Sequence, residues 1–327
     1  MSNLLINVFT SGTDIVRRLQ KILDDESSNF SNIVVNLYEA GIRYDTENGK
    51  QTFVDFIKEN SDKRNISYYG CNFSNQPDLP LHFLNNMFHE GSDLYIKNEM
   101  CRGLLEQCVD VKDKSNDLPK FDLLLGGTTP TKDWLYDVLK KHKVCDKVFA
   151  TYYRDDPKQG EWSSYVKVPV NHTAETIEDR WKSTLRYSDL IDPKIYNKTF
   201  YTALIETAFH EDFGVFTEKT AKPIVAKRPF VIFGSPGQLQ ALRSLGFKTF
   251  STVIDESYDK ERDMYKRFNM VLDTMLKLSS LDPKSVYTKL DEILQHNKNH
   301  FEKTDWNRQF RQQTRGSKKI DLFRFEQ

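Results

Sequence analysis

The segment TEKTAK, from Thr217 to Lys222, has residue types and a spacing that suit a phosphorylated ligand. It precedes a strand-like run that ends in Gly-Ser-Pro-Gly. If Thr217 caps a helix, Glu218 and Lys219 lie in its first turn, where backbone N–H groups and the positive end of the helix dipole attract a phosphate. Lys219 and Lys222 are three residues apart, on one helical face, and together could neutralise a diphosphate.

Glu218 adds a second chemical function, because a carboxylate accepts hydrogen bonds from the two vicinal hydroxyls of a ribose. Gly234 and Gly237 in the Gly-Ser-Pro-Gly turn would let a second loop approach the ligand closely. The same residue types are ordinary at a helix start, so the pattern leaves a purely structural role open. The turn is neither a P-loop nor a dinucleotide fingerprint, which disfavours a nucleoside triphosphatase or a dehydrogenase.

The overall charge does not imply wholesale electrostatic binding to nucleic acid or to an anionic membrane. The 327 residues carry 47 basic and 47 acidic side chains, so the formal net charge is zero. A local exception is the segment 306–325, WNRQFRQQTRGSKKIDLFRF, which concentrates Arg and Lys among aromatic residues. We predict a solvated terminal helix and tail there, with a contact to a polyanion such as DNA as the alternative.

The cysteines and the apolar segments indicate a reducing compartment. The four cysteines form no Cys-x-x-Cys pair and have no histidine at a metal-ligand spacing. The first residues do not resemble a signal peptide, and no apolar stretch approaches the ~20 residues that span a bilayer. We therefore expect buried, reduced thiols, no bound metal, no membrane span and a cytoplasmic location.

Strand-like and helix-like segments alternate along the chain, which is typical of parallel βαβ units. Short runs rich in β-branched and aromatic residues predict buried strands, and apolar residues at helical spacing predict helices. The predicted strands are 4–9, 32–38, 65–71, 120–127, 147–154, 199–209, 228–234 and 247–251. The predicted helices are 12–23, 49–60, 129–142, 217–227, 237–246, 259–281 and 286–301. We expect Thr131 to cap the third helix and Pro223 to kink or break the fourth.

A change of composition near the middle of the chain predicts two domains. Residues 155–181 contain two prolines, a glycine and many polar residues, so we interpret them as the crossing between domains. The predicted domains are 1–165 and 166–327, both α/β and Rossmann-like, and they face each other across a cleft. Open α/β sheets bind ligands outside the carboxyl ends of their strands.

Two segments resemble a known family. The segment 216–250, FTEKTAKPIVAKRPFVIFGSPGQLQALRSLGFKTF, together with DESYD at 255–259 and Arg267, resembles the C-terminal half of a group of phage- and bacterium-encoded glycosyltransferase-like proteins. Its Glu-Lys-Thr element is similar to that of fucosyltransferase-type enzymes. The segment 123–154, LLLGGTTPTKDWLYDVLKKHKVCDKVFATYYR, is similar to the strand-helix-strand unit before the domain crossing in that group. The resemblance spans roughly residues 121–270, under half of the chain.

The resemblance implies a GT-B arrangement, in which 1–165 is the acceptor domain and 166–327 holds a nucleotide-sugar donor. Glu218 would hold the ribose, and Lys219 with Thr220 would hold the diphosphate. Lys222 would assist them, and the strand that ends at Gly234 would form the floor of the site.

One loop departs from the family pattern. Members of the group often carry basic residues after the strand that matches Leu123–Leu125, where this chain has GGTTPTK. Within this loop, Gly127 and Lys132 are the residues that we expect near the phosphates, with Lys132 in place of the missing basic residues.

The absence of an Asp-x-Asp motif favours metal-independent transfer, with the nucleotide-sugar as substrate and no cofactor. In that chemistry, cations and helix N-termini stabilise the leaving diphosphate, and a general base deprotonates the acceptor hydroxyl. The candidates for the base are Glu206, His210, Glu211 and Asp212, with His172 as a weaker candidate. Each of these residues is also compatible with a structural role.

These observations lead to one hypothesis and two alternatives. The hypothesis is a hexosyl- or pentosyltransferase. If the protein is phage-encoded, it works in the host cytoplasm, and its acceptor is a modified DNA base, a surface glycan or a protein. The first alternative is a non-catalytic phage or bacterial binding or assembly protein that retains the fold. The second is a DNA-binding accessory protein that uses the basic C-terminal segment.

Overall fold

The computed structural model describes residues 3–8, 13–26, 29–37, 50–60, 62, 65–70, 72–74, 81–83, 93–126, 129–152, 190–206, 213–306, 308 and 318–322. The chain divides into two compact units. The first unit draws on Met1–His89, Asp212–Val215 and Asp305–Gln327, and the second on Glu90–Glu211 and Phe216–Thr304. Each unit contains a parallel β-sheet and helices. The protein is therefore an α/β protein, as the alternation of segments predicted.

The first unit contains a five-stranded parallel sheet. Its strands are β1 (Asn3–Val8), β2 (Asn32–Leu37), β3 (Ile66–Gly70), β5 (Leu81–Phe83) and β11 (Lys318–Leu322), and its helices are α1 (Thr13–Glu26) and α2 (Lys50–Glu59). The strand order is β11-β1-β2-β3-β5. Alternate apolar residues of β1 and β2 form one core with Leu19 and Leu23 of α1 and Phe56 of α2. Two further strands, β4 (Asn72–Ser74) and β9 (Phe213–Val215), pair with each other in the antiparallel direction.

The second unit contains a four-stranded parallel sheet. Its strands are β6 (Phe121–Gly126), β7 (Val148–Tyr152), β8 (Tyr201–Ile205) and β10 (Phe230–Phe233), in the order β10-β8-β6-β7. Its helices are α3 (Glu99–Glu106), α4 (Pro130–Lys141), α5 (Pro193–Tyr196), α6 (Glu218–Val225), α7 (Gln238–Ser244), α8 (Met264–Ser279) and α9 (Pro283–Lys303). Both β8 and β10 are buried along their whole length, which is typical of a parallel sheet covered on both faces.

The strands β1, β2, β3, β6, β7, β8 and β10 confirm the corresponding sequence predictions in their central residues. The four-stranded sheet combines two strands from each side of residue 165, where the domain boundary was predicted. Residue 165 itself lies outside the described residues.

The strand predicted at 247–251 is wrong, because that segment forms no strand. The side-chain amide of Asn297 accepts from the N–H of Lys248 and donates to its carbonyl, at 2.8 Å each. The carboxylate of Glu256 accepts from the N–H of Phe250 at 2.5 Å. Side chains therefore satisfy backbone groups that a strand would have paired.

One prediction about a helix end is also wrong, and one of the two outcomes predicted for Pro223 does not occur. Thr129, and not Thr131, caps α4, and its hydroxyl accepts from the N–H of Lys132 at 3.3 Å. Pro130 then occupies the first helical position, where its missing N–H breaks no helical bond. The helix α6 continues through Pro223 to Val225, so the proline does not break it.

Within the C-terminal segment, the described residues 318–322 and Trp306 differ from the solvated helix and tail that the sequence predicted. Lys318–Leu322 forms β11, which pairs in parallel with β1 from Leu4↔Lys318 to Val8↔Leu322. Trp306 is buried, at 2 % exposed. A deletion of 306–327, the test that would suit a DNA-binding tail, would therefore remove a strand of the first unit.

Across the part of the chain that is described, no helix is long and apolar enough to cross a membrane. Cys101 is buried, and Cys108 and Cys145 are partly buried; none of these three forms a disulfide.

Candidate functional site

The candidate site lies at the carboxyl edge of the four-stranded sheet. In the strand order β10-β8-β6-β7, the chain passes from β6 through α4 to β7 in one direction across the sheet. It passes from β8 by way of α6 to β10 in the opposite direction. The strand order therefore reverses between β6 and β8. At such a topological switch point, the segments that leave neighbouring strands diverge and open the crevice in which α/β proteins bind ligands. Both α4 and α6 begin from this edge.

The start of α6 is held by Thr217 and by Glu206, the residue that directly follows β8. The hydroxyl of Thr217 accepts from the backbone N–H of Lys219 at 3.3 Å, which makes Thr217 the N-cap that the sequence predicted. Glu206 accepts from the N–H of Thr217 at 3.2 Å and from its hydroxyl at 2.7 Å. It also accepts from the hydroxyl of Thr220 at 2.5 Å. These bonds fix the first turn of α6 onto the end of β8.

Glu206 is completely buried, at 0 % exposed. Burial raises the pKa of its carboxyl, although the charge of Lys219 and the hydroxyls of Thr220 and Thr217 act in the opposite direction. The sequence made Glu206 a candidate for the catalytic base. The structure encloses it and directs its oxygens at the helix cap, which is the geometry of a residue that positions its neighbours.

Glu218, Lys219 and Lys132 come together from two helices. The ammonium group of Lys219 lies 3.3 Å from Glu218 Oε1 and 3.3 Å from the hydroxyl of Thr217. Lys132 lies in the first turn of α4, near enough to both residues for their charges to act on it. Burial, and then the charge of Lys219, lower the pKa of Lys132, while Glu218 acts to raise it. The side chains of Lys219 and Glu218 remain 26 % and 17 % exposed, so solvent still reaches them.

The charges at this edge favour an anionic ligand. Burial alone would raise the pKa of Glu218, but the charges of Lys219 and Lys222 outweigh it and the pKa is lowered. Glu218 is therefore ionised at neutral pH, and it accepts from its own backbone N–H. A phosphate at this edge would meet Lys132, Lys219 and the positive end of α6. Lys219 could then exchange its bond with Glu218 for a bond with the phosphate.

Two residues predicted to bind the diphosphate face the interior. Lys222 is 8 % exposed, and its ammonium group donates to the carbonyl of Leu190 at 3.3 Å. Thr220 is 0 % exposed and donates its hydroxyl to Glu206. A contact between either side chain and a ligand would require these bonds to break.

Gly234 directly follows β10, as the sequence predicted for the floor of the site. A Cβ at this position would lie 2.1 Å from Gln238 Oε1 and 2.9 Å from Ile232 Cγ2. Gln238 is held in place, because its Oε1 accepts from the N–H of Ser235 at 3.0 Å. The close contact that requires glycine here is therefore a contact with other residues of the protein itself. Gly237 adopts a left-handed φ of 74°, which a glycine accepts without strain.

The N-terminus of α7, at the same edge, is already occupied by a carboxylate. Asp259 accepts from the N–H of Leu239 at 2.9 Å and from the N–H of Gln240 at 3.1 Å. Burial raises the pKa of Asp259, although these backbone donors act to lower it. A phosphate could use this helix end only by displacing Asp259.

A polar cluster that no sequence pattern predicted lies at the opposite, amino edge of the sheet. Arg228 Nη2 lies 2.6 Å from Asp122 Oδ1, and both side chains are almost fully buried. Arg228 and Lys114 both donate to the carbonyls of Tyr196 and Thr199. No short motif connects residues so far apart in the chain. This cluster joins the amino ends of β6 and β8, and so supports the strands that carry the site.

Other predicted site residues lie outside the described residues, namely Gly127, His172, His210, Glu211 and Asp212. Where the structure does describe the chain, no group of three or more His, Cys, Asp or Glu side chains could hold a metal ion. Comparison with protein-family models, curated proteins and solved structures finds no match for this chain.

Proposed function

We propose that this chain is a metal-independent glycosyltransferase that moves a sugar from a nucleotide-sugar donor to an acceptor. The observation that carries the proposal is that Lys132 of α4 lies close enough to Glu218 and Lys219 of α6 for their charges to act on it, where the strand order reverses between β6 and β8. Two cations at a switch point, beside two helix N-termini, suit the diphosphate of such a donor. The proposal includes a GT-B-like arrangement of two Rossmann-like domains and a cytoplasmic location.

The proposed chemistry assigns a separate task to each group. Transfer breaks the bond between the anomeric carbon of the sugar and the diphosphate, and negative charge develops on the leaving phosphate. Lys132 and Lys219 stabilise that charge without a metal ion. Glu218 accepts from the ribose hydroxyls. Glu206 acts through the cap of α6, because it holds Thr217 in place.

A general base is still needed to take the proton from the acceptor hydroxyl. In this proposal the base is His210 or Asp212, in the segment that follows Glu206. The acceptor is a hydroxyl of a modified DNA base, of a glycan or of a protein. Residues other than Lys132 and Lys219 would select among these acceptors.

The first test is calorimetric titration with UDP, GDP, CDP, ADP and their common sugar conjugates, with and without Mg²⁺. Charged hydrogen bonds contribute about 1.5 to 3 kcal/mol each, so Lys132→Ala and Lys219→Ala should each weaken the preferred nucleotide about 10- to 100-fold. The matched control is Lys289→Ala, which changes an exposed lysine of α9 and should leave binding unchanged. In thermal melting, ligand at about 100 times its dissociation constant should stabilise the wild type by about 2.7 kcal/mol.

The double variant decides whether the two lysines hold one ligand. If they do, the combined loss should differ from the sum of the single losses, because the two side chains share a partner. The proposal fails if no nucleotide or sugar nucleotide binds the wild type. It also fails if binding persists unchanged in both single variants.

The enclosure of Glu206 favours a second candidate function, a binding or assembly protein that retains the fold. Of the residues that the sequence suggested as the general base, Glu206 is the one that the structure describes, and its carboxylate accepts hydrogen bonds from Thr217 and Thr220. This candidate predicts nucleotide binding that depends on Lys219 but no release of nucleoside diphosphate from any sugar nucleotide. Release that is lost in Lys219→Ala would instead support the transferase.

A further inference from the structure

Two aromatic side chains lie at the same edge of the sheet as the lysines. Trp134 is near the start of α4 and Tyr265 is in the first turn of α8; their ring centroids are 4.8 Å apart and their planes meet at 76°. The first turn of α8 is tied to the end of β10, because Arg267 Nε donates to the carbonyl of Gly234 at 2.7 Å. Both rings therefore belong to the carboxyl edge, where ligands bind in this class of sheet.

Tyr265 is the outer member of this aromatic pair. It is 53 % exposed, whereas Phe268, which also packs against Trp134 at 6.2 Å between centroids, is 0 % exposed. Trp134 is thus supported by a buried ring, and in turn supports an exposed one. A ring that is more than half exposed gains little from packing in the fold, but it offers a rigid surface to a planar ligand.

The aromatic pair is close to the proposed diphosphate site. Lys132 and Trp134 are two residues apart on α4, so their Cα atoms are separated by about 5 Å. Residues at this spacing project from different sides of a helix. Lys132 meets the charges of α6, and Trp134 meets the ring of α8. Both residues lie within the first five residues of α4, at the carboxyl edge where the proposed ligand binds.

We propose that Tyr265, supported by Trp134, is the surface on which the nucleobase of the ligand stacks. This inference rests on the proposed function, because it concerns the base of the same nucleotide whose diphosphate Lys132 and Lys219 hold. A nucleobase is the planar aromatic group of such a ligand, and its stacking on an aromatic side chain tolerates any base. Selection among bases then falls to hydrogen bonds from other residues.

The test separates the base from the phosphates by comparing nucleoside diphosphates with inorganic pyrophosphate. The full chain is titrated with UDP, GDP, CDP, ADP and pyrophosphate, as wild type, Tyr265→Ala and Tyr265→Phe. The alanine variant should weaken the preferred nucleoside diphosphate by about 5- to 100-fold and leave pyrophosphate unchanged. The phenylalanine variant keeps the ring and should bind as the wild type does. Leu281→Ala, at another exposed apolar side chain, should change neither.

Fluorescence gives a second measure of the same contact. The nucleotide should change the emission of Trp134, pyrophosphate should not, and the change should vanish in Trp134→Phe. The stacking proposal is overturned if Tyr265→Ala binds the nucleotide as tightly as the wild type, or if it weakens pyrophosphate as much as the nucleotide. It is also overturned if the wild type binds nucleotides no more tightly than pyrophosphate, although the phosphate site then stands. If neither binds, the proposed function itself fails.

Discussion

Lys114 should make the stability of the second unit depend on pH. This side chain is 8 % exposed, and its ammonium group donates to the carbonyls of Tyr196 at 2.7 Å and Thr199 at 2.8 Å. Burial, and then the charge of Arg228, lower its pKa from 10.5 to about 7, against smaller opposite effects of Cys108, Asp122 and Asp110. The unfolded chain keeps a pKa near 10.5, so between these values it binds more protons than the folded protein. The free energy of unfolding therefore rises with pH in this window.

The size of the effect follows from the two pKa values. From pH 7 to pH 9, Lys114 should raise the free energy of unfolding by about 2 kcal/mol. Lys114→Met removes the titrating group and keeps most of the side-chain volume. The loss of its two hydrogen bonds should cost little free energy of unfolding, because Arg228 Nη1 donates to the same two carbonyls at 3.1 and 3.2 Å. The variant should therefore be about 2 kcal/mol more destabilised at pH 9 than at pH 7.

The assay is urea unfolding at about pH 7 and about pH 9, with circular dichroism as the signal that reports the folded fraction. The control is Lys112→Met, an exposed lysine two residues earlier, which should keep the pH dependence of the wild type. Titrating groups that are distant from Lys114 contribute equally to all three proteins, so they cancel when the variants are compared. If wild type and Lys114→Met gain the same stability between the two pH values, Lys114 does not have a low pKa and the reasoning is refuted.

Three further predictions concern stability. Glu206→Ala leaves buried donors at the start of α6 without an acceptor and should lower the free energy of unfolding by about 3 kcal/mol; a loss below about 1 kcal/mol in urea unfolding would show that the cap does not depend on it. Gly246 has a φ of 93°, and a Cβ there would lie 2.7 Å from the imidazole of His300, so Gly246→Ala should lower the melting temperature. Gly103→Ala, in a helix with nothing within 4 Å of the new Cβ, should instead add about 0.5 to 1 kcal/mol, and the same sign for both would contradict this argument. Asp122→Ala leaves Arg228 buried and unpaired and should cost about 3 to 5 kcal/mol; Arg228→Met in the same chain should recover part of the lost melting temperature.

Local patterns in the sequence were sufficient to predict most strands of both sheets. The run at Phe230–Phe233 is apolar throughout because a central parallel strand is buried on both faces. The same patterns could not predict β11, whose basic residues resemble a solvated tail. Its identity as a strand depends on pairing with β1, at the other end of the described chain, and no local signal carries that information.

The candidate site was predictable only in part. The N-cap at Thr217 follows from residue type and position, and the structure confirms it. Spacing alone placed Lys222 with Lys219 on one helical face, but it could not show that Lys222 turns towards the carbonyl of Leu190. The enclosure of Glu206 was hidden for the same reason, since burial is set by elements that pack from elsewhere in the chain.

The pairing of β11 with β1 has a consequence for synthesis of the protein. While the chain is being made, β1 and β2 leave the ribosome before β11, so the outer edge of β1 has no partner until Lys318–Leu322 follows. At typical translation rates of 5–20 residues per second, that interval lasts roughly 15 to 60 s. During it, the N-terminal unit exposes an unpaired strand edge, which is a template for aggregation. Added chaperones that cover this edge should therefore improve the yield of intact protein.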